Sequence, residues 1–334
     1  MGPTGTVSST EAAELPAPRG PLSAGVVEAL RTGSAPAPPA HGAEPYGQDL
    51  QLALYCLYEL HYRGFREVDP EREWDPDLLA LRRDLERAFL SALRADVPAG
   101  DDVAAELQQL LVEPLDAWGA THHLQRDGEL WQLREYVTHR SLYHLKEADP
   151  QAWVIPRLAG AAKATFVTIE HDEYGAGRPE RMHSHLFAAM MRALDVDDTY
   201  GAHLDVVPAE ALAEVNLMSM CGLHRGLRGA LLGQFAVVEL TSSPGSARLV
   251  RAMRRLGCGP EAVEFYAEHI EADAVHEQLV RRGVLGPLLA AEPELAADVV
   301  FGVRAATHLA GKFEAVLLNR WARQESTLLP RPSG

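Results

Sequence analysis

Three side chains that can bind metal ions recur at helical spacing near the C-terminal end of the sequence. His269, Asp273 and His276 form a His-x3-Asp-x2-His set within residues 257–282. At about 100° per residue in an α-helix, Asp273 lies about 40° and His276 about 20° from the direction of His269. All three therefore leave one face of the predicted helix, and imidazole and carboxylate groups sharing a face are typical metal ligands.

The rest of that helical face is apolar, since Ala262, Phe265, Tyr266 and Val280 continue it. Two interpretations are open: the polar residues satisfy one another in a buried patch, or they bind a metal ion. Burying an aspartate without a cation or complete hydrogen bonding costs several kcal/mol. The metal interpretation is therefore favoured.

Composition predicts an all-α protein with one main domain of about 280 residues, because Ala, Leu, Glu and Arg dominate the 334 residues and β-branched runs are few. A net charge of -16 opposes binding to nucleic acid or to anionic membranes. No apolar stretch approaches the roughly 20 residues of a spanning helix, and residues 1–30 lack a signal-peptide pattern. We therefore expect a cytoplasmic protein that acts on a small molecule.

The three cysteines are too few and too scattered for a disulfide framework or a thiolate metal site. We expect them to be small buried apolar residues. They are Cys56, Cys221 and Cys258.

The chain divides into four predicted segments. Residues 1–45, rich in Pro, Ala, Gly and Ser, are predicted to be a disordered leader, and residues 46–128 to form N-terminal helices packed on the core. The main helical domain is predicted over residues 129–325, with a flexible tail at 326–334. The N-terminal region offers Glu59 and His61, interpreted as ordinary helix residues, and His122-His123, interpreted as solvated.

Further acids and histidines lie on other predicted helices. Glu147 shares a helical face with Arg140, Tyr143 and His144. Glu239 is an isolated acid on an almost wholly apolar helix, where a buried carboxylate requires a cation.

Four acids surround a break between two predicted helices and are followed by His183. A solvated loop explains them as readily as a metal site does, so both interpretations stay open. The acids are Glu170, Asp172, Glu173 and Glu180.

The acids and histidines on apolar faces together suggest a metal centre inside a helical bundle. Mixed carboxylate and imidazole ligands suit iron or manganese, and four carboxylates suit two metal ions that activate O2. The Glu-x-x-His motif of ferritin-like bundles occurs at Glu180 to His183 without a second copy. This favours a different helical scaffold. The candidate ligands are Glu147, Glu173, His183, Glu239, His269, Asp273 and His276.

Four segments resemble the haem-oxygenase-like diiron oxidases and oxygenases, often described as iron-containing redox enzymes. They are LKEADP (145–150), DEYGAGRPERMHSHLF (172–187), VVEL (237–240) and EHIEADAVHEQ (268–278). The resemblance covers roughly residues 130–325. It implies an all-α, seven-helix haem-oxygenase-like bundle, here with extra N-terminal helices, in which a reversibly assembled diiron centre replaces haem.

The same resemblance implies that the seven candidate residues are metal ligands. Glu147 matches an extra carboxylate of N-oxygenating members. The implied cofactors are two Fe(II) per chain, with O2 as co-substrate and an external electron donor. A homodimer and a separate reductase partner stay open.

Three functions follow as hypotheses. The first is N-oxygenation of an amine or guanidine through a peroxo-diferric intermediate, in specialised metabolism. The second is oxidative fragmentation of an amino acid or fatty acid by C–H abstraction and C–C cleavage. The third is a non-catalytic helical binding protein. Arg140 and Arg228 could anchor a substrate, although surface salt bridges would explain each arginine equally well.

Overall fold

The structure, a computed structural model, describes residues 12–36, 42–114 and 116–331, apart from the side chains of residues 271, 273 and 274. The helices are α1 (Pro21–Thr32), α2 (Gln48–Glu59), α3 (Pro76–Asp96), α4 (Val103–Leu111), α5 (Ala120–Arg126), α6 (Leu130–His144), α7 (Asp149–Ala152), α8 (Gly160–Glu173), α9 (His183–Ala193), α10 (Ala209–Leu223), α11 (Arg228–Arg255), α12 (Pro260–Gln278), α13 (Gly286–Ala291) and α14 (Ala296–Trp321). Over these described ranges no strand occurs beyond one isolated bridge, between Ala13 and Phe65. The predicted all-α class is confirmed.

The centre of the bundle is α11, which packs along both α12 and α14. Two glycines let α11 and α14 approach closely. A Cβ at Gly233 would meet the carbonyl oxygen of Val299, and one at Gly302 would meet that of Ala230. Backbone therefore rests on backbone along this contact, which holds α11 firmly in place.

Helix α12, which carries the His-x3-Asp-x2-His set, begins at Pro260 with Gly259 as its N-cap. Its apolar stripe is buried as predicted, with Ala262 and Phe265 fully covered, and it lies against α9 and α11. A π-helical segment, Leu279–Leu285, follows α12 and packs on α8. Helices α9 and α11, which pack on α12, and α8, which packs on the π-helical segment, carry further acids and histidines.

The expectation of a disordered leader over residues 1–45 is wrong for residues 12–36. Helix α1 packs on α2 and buries Val26, Val27 and Leu30. The Asp49 carboxylate accepts hydrogen bonds from the backbone N–H groups of Leu22 and Ser23, at 3.0 and 2.7 Å. One short amphipathic helix within a Pro- and Ala-rich stretch is enough to anchor it. Residues 1–11 and 37–41 of that prediction lie outside the described residues.

The expectation of a flexible tail at 326–334 is wrong for residues 326–329. Thr327 is buried, and its backbone N–H and hydroxyl both donate to Glu135, at 3.0 and 2.7 Å. The backbone N–H of Leu329 donates to the carbonyl of Val206 at 2.7 Å. These hydrogen bonds fix a segment whose composition predicted mobility, and residues 332–334 lie outside the described part of the chain.

Three polar residues of the N-terminal region have specific partners: Glu59 and His61 are buried and His123 is half-buried. Glu59 is fully covered, and His61 lies 2.9 Å from Glu73. His123 belongs to α5, where its Nε2 lies 3.1 Å from the side-chain oxygen of Gln132. The interpretation of Glu59, His61 and His123 as ordinary or solvated residues is therefore wrong, because each has a specific partner that only the fold supplies.

Cys56 and Cys221 are buried and Cys258 is half-buried, and all three are free thiols. Among the described residues, no helix combines the length and the apolar composition needed to cross a lipid bilayer.

Candidate metal centre

Six of the seven predicted ligands converge inside the bundle. Their positions are Glu147 just after α6, Glu173 at the end of α8, His183 at the start of α9, Glu239 in α11, and His269 and His276 in α12. All six are at most 7 % exposed. The backbone of Asp273 lies in α12, but its side chain is outside the described residues.

Four of these residues form a first ligand group. One potential ligand atom each from Glu147, Glu173, His183 and His269 lies within 4.8 Å of all the others. The Nδ1 atom of His183 is 2.7 Å from the Glu173 carboxylate, and the rings of His183 and His269 are 4.3 Å apart between centroids. Two carboxylates and two imidazoles thus face one small volume.

A second ligand group consists of Glu173, Glu239 and His276, again with their ligand atoms within 4.8 Å of one another. The Nδ1 atom of His276 lies 3.5 Å from Glu173 and 3.2 Å from Glu239. Glu173 belongs to both groups. A carboxylate shared by two ligand sets is the arrangement that bridges two metal ions.

The orientation of His269 fits a metal ligand. Its Nδ1 donates a hydrogen bond to the backbone carbonyl of Phe265 at 2.8 Å, which leaves the lone pair on Nε2. That Nε2 and the Oε2 atom of Glu147 are both buried and have no hydrogen-bond partner within the described part of the chain. Buried polar atoms normally have partners, and metal-bound imidazoles usually donate their other N–H to a carbonyl or carboxylate. The residues present therefore fit a metal centre.

His276 is oriented by a residue that the sequence interpretation left outside the ligand set. The Nε2 atom of His276 lies 3.3 Å from Asp172, a side chain that is 46 % exposed. Because a carboxylate can only accept, Nε2 carries the proton and Nδ1 faces the two glutamates. Asp172 thus acts on the site through His276.

The pKa values of the clustered residues are shifted, because several carboxylates lie close together in an apolar interior. Burial raises the pKa of Glu147 and of Glu239 to about 7. Burial would also raise the pKa of Glu173, but the neighbouring histidines outweigh it and lower that pKa. Burial lowers the pKa of His276, yet its hydrogen bond to Glu239 prevails and raises it to about 9. A divalent cation would replace these shared protons as the compensating charge.

Two residues that the sequence analysis named but did not count among the ligands each lie one helical turn before a candidate ligand. His144 lies one turn before Glu147, with its Nδ1 3.0 Å from the Glu147 carboxylate. Glu170 is 3 % exposed and lies one turn before Glu173. Helical spacing places both beside candidate ligands, because His144 shares the face of Glu147 and Glu170 falls on the buried stripe of α8 with Phe166.

The segment that carries Glu147 is fixed by a buried ion pair. Lys146 is 2 % exposed, and its Nζ lies 2.8 Å from Glu59 and over the rings of Tyr55 and Tyr62. The second oxygen of Glu59 accepts a hydrogen bond from Tyr200 at 2.6 Å. Helix α2 and the turn after it therefore hold the residue adjacent to a candidate ligand.

A cavity of about 410 Å³ adjoins the first ligand group, and both Glu147 and His269 line it. Its walls are mainly apolar side chains from α10, α11 and α14, including Leu217, Val238 and Leu309. This volume is within the range of small-molecule sites.

The cavity also has a charged end. Arg140 and Glu214 line it and form an ion pair at 2.6 Å. Arg228, the other suggested anchor, pairs with Glu292 and is not among the cavity residues. The structure therefore places Arg140, and not Arg228, where a small molecule beside the cluster could meet it.

Residues 134–311, more than half of the chain, match the sequence profile of the family described as iron-containing redox enzymes. The protein belongs to this haem-oxygenase-like family. The match contains all six convergent residues, so the family and the buried cluster point to the same part of the fold. No curated protein matches the chain.

Proposed function

We propose that this iron-containing redox enzyme is a non-haem diiron oxygenase that oxygenates an amine or guanidine nitrogen of a small molecule. The observation that carries the proposal is the pair of ligand groups that share Glu173. The proposed ligands are the six convergent residues together with Asp273. Two ferrous ions held there would supply the electrons that activate O2.

The reaction balances as one amine, one O2, two electrons and two protons giving one hydroxylamine and one water. An external donor, such as a reductase, supplies the two electrons for each further turnover. The protein's own contribution is to position the nitrogen beside the first ligand group and to exclude water from it. Glu147 and His269 face both the ligand group and the cavity, so a molecule in the cavity lies next to the site of O2 chemistry.

The cavity supports a polar substrate over a fatty chain. Its ion pair of Arg140 and Glu214 offers N–H donors and carboxylate acceptors within apolar walls. Two further lining atoms, the Tyr266 hydroxyl and the side-chain oxygen of Gln234, are buried, and no described residue forms a hydrogen bond with them. A molecule with charged or hydrogen-bonding groups satisfies these atoms, whereas a fatty chain leaves them unpaired.

The test is product analysis with the Fe(II)-loaded protein, O2, a reductant and separate panels of amines, guanidines, amino acids and fatty acids. Oxygenation adds one oxygen atom to a retained nitrogen, visible by mass spectrometry with labelled O2. Oxidative fragmentation instead releases a smaller carbon product. Fragmentation without any oxygenated nitrogen product would contradict the proposal.

Two double variants, each of which removes one ion pair, distinguish an effect on the cavity from a general loss of protein stability. Arg140→Met in the Glu214→Gln background should lower turnover at least tenfold with iron content unchanged. The matched control, Arg228→Met with Glu292→Gln, removes a pair outside the cavity and should leave turnover close to that of the parent.

A further inference from the structure

Glu170 carries a buried carboxylate that the proposed ligand set does not include. It lies on α8 one turn before Glu173 and is 3 % exposed. Neither of its carboxylate oxygens has a hydrogen-bond partner among the described residues. Burying a polar group without a hydrogen-bond partner raises the free energy of the folded state, and burying a carboxylate raises it more than burying a neutral group.

The charges that act on Glu170 are unfavourable. The groups with the largest influence on its pKa, after burial, are Glu173, Glu239, Asp149 and Glu147, all of them carboxylates. A cation between these acids would remove the repulsion and compensate for the burial.

The position of Glu170 relates it to the second ligand group. Residues three apart on a helix are neighbours on its surface, so Glu170 lies beside Glu173, which belongs to both groups. Glu239 of the second group has the next largest effect on it. Among the described residues, Glu170 is absent from the sets whose ligand atoms lie within 4.8 Å of one another, so its oxygens are not among the converging ligand atoms.

We propose that Glu170 is a further carboxylate of the metal centre, which stabilises the divalent cation held by Glu173, Glu239 and His276. This inference rests on the proposed diiron function. Its geometric basis is a carboxylate that is buried, lies one helical turn before Glu173, and has no hydrogen-bond partner among the described residues. Such a residue lowers the stability of the metal-free fold and increases the affinity for the metal.

Opposite effects on two measurements distinguish this role from a structural one. Glu170→Met removes both unpartnered oxygens in a side chain of similar length. The metal-free variant should unfold at the same temperature as the parent or at a higher one. Its affinity for Mn(II) at the weaker of two sites should fall at least tenfold, and Glu170→Gln, which removes only the charge, should weaken Mn(II) binding similarly.

The matched control is Glu135→Gln. Glu135 is also buried, but it accepts hydrogen bonds from Trp321 and Thr327 at 3.1 and 3.0 Å. This variant should show the reverse pattern: a lower unfolding temperature without metal and Mn(II) affinity equal to that of the parent.

The experiment is calorimetric titration of the full chain with Mn(II), combined with thermal unfolding of the metal-free protein. If the parent binds two Mn(II) and the Glu170 variants bind them as tightly, the proposed role of Glu170 is wrong. The proposed metal centre itself would not be affected by that result. A metal-free Glu170→Met protein that unfolds at a clearly lower temperature would also overturn it, since the carboxyl would then support the fold. A parent that binds no metal would overturn both the proposed function and this inference.

Discussion

Single atoms determine what the cluster can bind. The hydrogen bond from Nδ1 of His269 to Phe265 fixes the tautomer, and the contact of His276 with Asp172 fixes which nitrogen faces the acids. The residue types and their spacing were predictable, because a 3.6-residue period places His269 and His276 on one face. Which nitrogen of each ring is available depends on the backbone and on Asp172, and no sequence pattern specifies it.

His139 gives a pH dependence that can be measured away from the metal centre. Its Nε2 lies 2.7 Å from the Thr327 hydroxyl, and burial lowers its pKa to about 3, helped by Arg140 and His203. Between this value and the unfolded pKa near 6.5, the unfolded chain binds more protons. Stability should therefore decrease as pH falls below about 6.5, by up to about 1.4 kcal/mol per pH unit from this residue.

Removing His139 should flatten that acid dependence. We expect His139→Gln to show a shallower decrease in unfolding free energy between pH 6 and pH 4, measured by urea denaturation. His171→Gln, at an exposed position of α8, is the control and should keep the slope of the parent. Equal slopes for parent and His139→Gln would show that His139 does not remain neutral in the folded protein.

Helix packing positions the ligands. Helix α11 carries Glu239 and contacts both α12 and α14, so the distance between backbones along α11 sets where Glu239 lies. The sequence predicted a helix over this segment and its apolar face. The close approach at Gly233 and Gly302 was not predictable, because a glycine within a helix is ambiguous without knowledge of its neighbour.

Gly302→Ala should destabilise the protein by at least about 2 kcal/mol, because the added methyl group meets the Ala230 carbonyl on α11. Gly311→Ala, in the same helix but with open space around it, should instead stabilise by about 0.5–1 kcal/mol through helix propensity. Chemical denaturation of both variants makes the comparison. Equal effects of the two substitutions would contradict the close contact of α11 with α14.

The buried pair of Glu59 and Lys146 links α2 to the turn that holds Glu147. Lys146→Met should destabilise by about 3 kcal/mol, because it leaves the Glu59 carboxylate buried without its cation. Adding Glu59→Gln should recover part of this loss, since the second change removes the unpaired charge. Denaturant unfolding of the single and double variants measures the coupling energy between Glu59 and Lys146. A double variant less stable than Lys146→Met would contradict a stabilising ion pair between them.

At the scale of the molecule, segments outside the family match complete the bundle. Helix α1 and residues 326–329 bury against the core, although their composition predicted a leader and a tail. Amino-acid composition gives only the average polarity of a segment and does not show on which face of a helix its apolar residues lie. A few apolar residues such as Val26 and Leu30, placed on one face, are sufficient to pack a helix against a neighbour.

Deletion of residues 1–36 should therefore lower the midpoint of thermal unfolding by more than about 5 °C. Helix α1 covers apolar side chains of α2, and its removal would expose them to water. Differential scanning fluorimetry of the truncated and full chains compares them directly. An unchanged midpoint would mean that α1 contributes little to stability.

The shared carboxylate of Glu173 is tested most directly by counting metal ions. Anaerobic Fe(II) titration followed by metal analysis should give close to two ions per chain for the parent. His269→Ala, from the first ligand group, and Glu239→Ala, from the second, should each retain close to one. Glu173→Ala should lose tight binding of both, because it belongs to both groups. A parent that takes up a single ion, or a Glu173→Ala variant that still holds two, would contradict a centre of two metal ions bridged by this residue.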